Sequence, residues 1–116
     1  MSKRDTKLLL EDMLEAGKKI LKYTEGLDFD SFDSNDMIVD AVVRNFEIIG
    51  EAANRIDPDF RDENPQIEWN RLRGFRNRIV HEYFGIDNTI LWSIIEDYLD
   101  EMIDWLESLI DDSSTT

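Results

Sequence analysis

Asp36-Met-Ile-Val-Asp-Ala-Val-Val-Arg-Asn-Phe-Glu-Ile-Ile-Gly-Glu-Ala-Ala-Asn-Arg-Ile56 is the stretch that decides the fold. Ile38, Val42, Phe46, Ile49, Ala53 and Ile56 recur at steps of three and four. That spacing gathers side chains on one face of an α-helix and gives it something to bury. Ser34, Asn35 or Asp36 can cap its start. Pro58 terminates it and Pro65 breaks the segment that follows, since proline lacks an N–H and clashes inside a helix.

Toward the N-terminus the same period returns from about Thr6 to Thr24. Leu10, Met13, Leu14, Gly17, Ile20 and Leu21 form the inner stripe, and Gly26 is the stop signal. Residues 27–34 read as a loop, with Phe29 and Phe32 pinning it to the bundle. Toward the C-terminus a third helix spans roughly Trp69 to Tyr83, with Trp69, Leu72, Phe75, Ile79 and Val80 apolar. Asp87 or Asn88 can cap a last helix from about Thr89 to Ile110. Its inner face is Leu91, Ile95, Tyr98, Leu99, Met102, Leu106 and Leu109. The expectation is an all-α, antiparallel four-helix bundle, with room for an extra short helix. One domain covers residues 1–112, with a disordered tail at 113–116.

Composition narrows the function. The 116 residues include no Cys, which excludes a disulfide framework, a Cys-zinc site and a thiol nucleophile. A single His, His81, argues against a His-based metal site within one chain. No apolar run approaches the length of a membrane span, and no apolar signal segment follows Met1, so a cytoplasmic protein is expected. The net charge of −14 speaks, as a bulk average, against nucleic acid, because phosphates repel a net anion. The charges are segregated, however. All five Lys lie at or before Lys22, and from Ile79 to Thr116 there are ten acids and no Lys or Arg. The window Trp69 to His81 holds four Arg and no acid, a formal +4. Those Arg either pair with acids of neighbouring helices or grip phosphates, and charge alone leaves both open.

Within that window, Arg76-Asn-Arg-Ile-Val-His81-Glu-Tyr83 carries the chemistry. His81 can give or take a proton near neutrality. Arg76 is a permanent planar cation suited to a phosphate or a developing phosphorane. Asn77, one turn before His81, can orient the imidazole or a phosphate. Tyr83 offers a hydroxyl and a possible modification site. His plus Arg without metal ligands suits metal-independent RNA cleavage through the ribose 2′-OH. The bland alternative for His81 is a His satisfying the last carbonyls of its helix. Geometry adds a condition. At about 100° per residue, Arg76 and His81 lie roughly 140° apart around a straight helix. Either the helix distorts near His81, or a second chain brings its own copy alongside in a two-fold dimer.

At these residues the sequence resembles the HEPN superfamily, whose hallmark is Arg, four to six residues, then His. It resembles most the HepT branch, with its Arg-x4-His-x-Tyr pattern, which Arg76, His81 and Tyr83 fit. Arg44-Asn-Phe-Glu-Ile-Ile-Gly-Glu-Ala52, Pro65-Gln-Ile-Glu-Trp69 and Phe84-Gly-Ile-Asp87 followed by Trp92 extend the likeness over about residues 36 to 106. The resemblance implies a HEPN-like helical bundle that forms a homodimer with both motifs at the interface. It implies a metal-independent endoribonuclease toxin of a toxin–antitoxin pair, with RNA as substrate, Arg76 and His81 catalytic and Asn77 supporting. Arg73 and Arg78 are further candidates for RNA contact. It also implies a nucleotidyltransferase antitoxin resembling MntA, which would move AMP from ATP onto Tyr83. ATP would then serve the antitoxin, and this chain would need no cofactor. The rival reading is a non-catalytic module that binds a nucleotide or that same partner.

Overall fold

The computed structural model describes residues 3–74 and 88–114 of the chain, and every element in them is an α-helix. Helix α1 (Lys3–Thr24) packs against α3 (Asp36–Arg55) and against the last helix. Leu10, Met13 and Ile20 of α1 and Val42, Phe46, Ile49 and Ala53 of α3 are buried in one common core. Both stripes follow the periodicity of the sequence. Gly26 ends α1 in the left-handed region at φ +76°, where a side chain would be strained. Asn35 caps α3, its Oδ1 accepting from the Ile38 N–H at 3.1 Å.

Residues 27–34 are not all loop. Asp28 Oδ1 accepts from the Ser31 N–H at 2.8 Å and starts a single turn, α2 (Phe29–Asp33). Phe32 is fully buried and stacks at 5.1 Å, tilted, on Trp92, which Phe29 meets edge-on at 6.4 Å. The two Phe do pin this segment, but as a capped helical turn. Pro58 likewise does more than end α3. With Asp57 as N-cap it occupies the first position of α4 (Pro58–Glu63), where its missing N–H has no partner to lose.

Residues 69–74 begin α5. The single helix expected over 89–110 is two, α6 (Asn88–Asp97) and α7 (Leu99–Ser114), meeting at Tyr98. The Tyr98 N–H donates to Ile94 O and its own carbonyl accepts from the Met102 N–H, each at 3.0 Å, so helical bonding runs through the junction. The inner face is buried as the pattern requires, and α7 reaches two residues into the expected tail. Gly17 lets α7 close on α1. A Cβ there would sit 3.2 Å from Ile103 Cγ1 and from Met102 Cε. Among the described residues no helix is long and apolar enough to cross a membrane.

Candidate functional site

Arg76, Asn77, Arg78, His81 and Tyr83 lie outside the described residues, between Gly74 and Asn88. The start of the helix that should carry them, α5, is described, and it is held on three sides.

Trp69 and Leu72 turn into the core. The Trp69 indole Nε1–H donates to Asn64 O at 2.8 Å, and its ring meets Phe60 of α4 edge-on at 6.3 Å. On another side the Glu68 N–H donates to the Tyr98 hydroxyl at 3.3 Å. Arg71 lies 5.1 Å over the Tyr98 ring and pairs with Glu68 at 3.3 Å. Burial pushes the Tyr98 phenol above its ordinary pKa, and the Glu68 N–H works against that. Tyr98 thus holds the first turn of α5 from the α6–α7 junction. On the third side Arg73, half-buried, donates from Nε to Asn54 Oδ1 of α3 at 3.2 Å.

Beside Arg73 stands Arg61 of α4, whose Nη1 donates to Ala53 O at the end of α3, at 3.1 Å. Arg61 is pushed below its ordinary pKa, first by burial and then by the Arg73 charge, while Asp62 and Asp57 pull it back. Two other Arg pair with acids, but of their own turn rather than of a neighbouring helix. Arg44 pairs with Glu47 at 3.5 Å and Arg71 with Glu68, each within its own turn. Among the described residues, neither Arg61 nor Arg73 has a carboxylate ion-pair partner.

A cleft of about 270 Å³ between α1 and α3 is lined by Arg44 and Arg55 but also by Asp12, Glu47 and Glu51. Acids outnumber Arg there, which makes it a poor seat for a phosphate. From the other end, Asn88 Nδ2 donates to Asp33 Oδ1 at 2.8 Å, and with Trp92 this fixes the start of α6 on α2. The described residues on either side of the motif, up to Gly74 and from Asn88, are thus anchored to the bundle.

Of the candidate residues, the structure places Arg73 and gives it a cationic neighbour. Sequence reasoning passed over that neighbour. Arg61 lies outside the acid-free window, among Asp59, Asp62 and Glu63, so its local charge hides it. Tyr98 was legible only as part of a core stripe. Nothing in its spacing points to a hydroxyl engaged 30 residues away.

The family model described as "Ribonuclease HepT-like" matches residues 13–109. A Methanocaldococcus jannaschii protein named "Putative RNase MJ1380" is 44% identical over 97 residues, covering 84% of this chain and 89% of that protein. Another from the same organism, "Putative RNase MJ1216", is 37% identical over 112 residues, covering 97% and 93%. A Thermococcus cleftensis protein named "Probable ribonuclease HepT" is 37% identical over 95 residues, covering 82% and 86%. No solved structure matches the chain.

Proposed function

The chain belongs to the ribonuclease HepT-like family, and from that premise we propose that it is a metal-independent endoribonuclease, the toxin of a toxin–antitoxin pair. The observation that carries the reading is Arg76-x4-His81-x-Tyr83 lying inside the matched span 13–109.

In the proposed reaction the ribose 2′-oxygen attacks the adjacent phosphorus. The O2′–P bond forms, the P–O5′ bond breaks, and the strand separates into a 2′,3′-cyclic phosphate and a 5′-hydroxyl. His81 accepts the 2′-OH proton, and a second imidazole or water returns one to the leaving 5′-oxygen. Arg76 stabilises the extra negative charge as it develops on the phosphoryl oxygens. Asn77 orients the imidazole or the phosphate, and Arg73 and Arg78 hold the strand. A homodimer places two copies of His81 and Arg76 around one cleft, which answers the 140° problem of a straight helix.

The same reading makes Tyr83 the off switch. A nucleotidyltransferase antitoxin would join the Tyr83 oxygen to the α-phosphorus of ATP with loss of pyrophosphate. The bound AMP adds an anion where RNA phosphate must sit.

The deciding experiment is RNA cleavage by the protein in EDTA, with analysis of product ends. Cyclic phosphate ends are expected, with a loss of 10²-fold or more in His81→Ala, in line with the usual contribution of a proton-transfer group. A requirement for Mg²⁺, or equal cleavage by His81→Ala, would remove the mechanism. Binding of RNA without cleavage would favour the binding-module reading.

A further inference from the structure

We propose that Arg61 and Arg73 together form a phosphate subsite that grips the RNA strand beside the reacting bond. The proposal rests on the RNA reading above and adds to it a residue outside the motif.

The geometry comes first. The two guanidinium groups arrive from different helices, Arg61 from α4 and Arg73 from α5, and are tethered to consecutive residues of α3. Arg61 holds Ala53 O at 3.1 Å and Arg73 holds Asn54 Oδ1 at 3.2 Å. Each tether occupies one of five N–H donors, so both forks keep donors for another acceptor. Both residues are half-buried, so their rotamers are restricted before any ligand arrives.

The electrostatics point the same way. The Arg73 charge weighs on Arg61, which means that two like charges are held close together at a cost. Asp57 and Asp62 offset part of that cost from a distance. Arg44 and Arg71 show what a structural Arg looks like in this chain, each closed by a Glu one turn away. Arg61 and Arg73 are tethered by neutral oxygens instead. A phosphodiester seated between them would supply the missing anion, with the bidentate geometry that guanidinium favours.

Placement links the pair to the chemistry. In the sequence Arg73 stands three residues before Arg76 and eight before His81. A strand bound at a motif that begins three residues after Arg73 has further phosphates to offer this pair.

The test measures binding of a short fluorescent single-stranded RNA to the full chain in the non-cleaving His81→Ala background, as a function of salt. Arg73→Gln and Arg61→Gln should each weaken binding several-fold at low salt. Each should reduce the slope of log affinity against log salt by about 0.7, the value for one phosphate contact on a single strand. The double variant should lose less than the sum of the two, because both hold one phosphate. Arg44→Gln removes the same charge from the α1–α3 cleft and should change affinity less than either. Arg61 also tethers the end of α3, so melting curves accompany each variant and Arg61→Lys should restore much of the affinity. Slopes for Arg73→Gln and Arg61→Gln equal to that of Arg44→Gln would overturn the subsite. Lost affinity in these variants, with no cleavage by the wild type, would keep the subsite and remove the catalytic reading. No RNA binding at all would remove both.

Discussion

Tyr98 and Gly17 show how single residues carry the arrangement. The Tyr98 phenol is buried and held neutral, so its pKa is raised above the ordinary value. The sign follows from linkage. Below about pH 10 the phenol is protonated in both folded and unfolded chains and its contribution is fully present. As pH rises past that value, the unfolded chain gives up this proton first and stability falls, until the folded phenol ionises too. Tyr98→Phe should therefore cost about 1 kcal/mol at pH 7, from the Glu68 N–H left without its acceptor. The gap to wild type should shrink above pH 10, as read from denaturant unfolding across a pH series. A gap independent of pH would contradict this. Gly17 tests the α1–α7 contact. Gly17→Ala gains roughly 1 kcal/mol in helix propensity but pushes a Cβ to 3.2 Å from Ile103 and Met102. Met102 can swing away, whereas the Ile103 β-branch is stiff. The two effects should nearly cancel in Gly17→Ala. Gly17→Val adds bulk with poor helix propensity and should destabilise by roughly 1–3 kcal/mol. Thermal melts of the two variants separate these outcomes.

At the scale of elements, α2 connects the sequence to the site. It is five residues long, yet it anchors the first turn of α6, just beyond the segment that carries His81 and Tyr83. Phe32→Ala should cost about 3–5 kcal/mol, because a fully buried ring leaves a cavity under Trp92. Asp28→Ala removes only an exposed cap and should lower the melting temperature by a visibly smaller step. The Ser31 N–H holds the Asp28 carboxyl below the usual range. That cap is therefore present at neutral pH and is lost as pH falls through the lowered pKa. A melt in which Asp28→Ala matched Phe32→Ala would mean that the cap, not the ring, holds α2. This element also marks where sequence reading runs out. Helices α1 and α3 were legible because several turns repeat the 3.6-residue period. A one-turn helix repeats nothing, so α2 read as loop, and α4 hid behind a Pro taken as a stop. The split at Tyr98 was invisible because the apolar stripe continues across it. The candidate chemistry was drawn from side-chain types alone, since one His and four Arg in an acid-free window leave few roles. Whether Arg76 and His81 can meet was not legible, because residues five apart on a straight helix face different ways.

At the scale of the whole molecule, the net charge of −14 is an arrangement rather than an average. The described acids of α6 and α7, from Glu96 to Asp111, are all exposed, and neither helix contains a Lys or Arg. Arg61 and Arg73 stand on the other side of the α5 turn that leans on Tyr98, tethered to α3. At physiological salt a surface charge is felt over about 8 Å, so the acidic helices repel a strand near them without cancelling cations farther away. The consequence is selectivity by exclusion. On the RNA reading proposed above, a strand is refused near the acidic helices and tolerated where Arg61 and Arg73 stand. Replacing Asp100, Asp104 and Asp111 together by Asn should therefore raise affinity for single-stranded RNA of arbitrary sequence several-fold at low salt. The gain should fade as salt rises, because it comes from removing repulsion rather than from adding a contact. Melting temperature should stay level or rise slightly, since like charges on exposed positions are being relieved. Binding curves for wild type and the triple variant at two salt concentrations decide the matter. Identical curves would mean that the acidic face is too far from any bound strand to act on it, and that the Arg cluster alone sets where RNA binds.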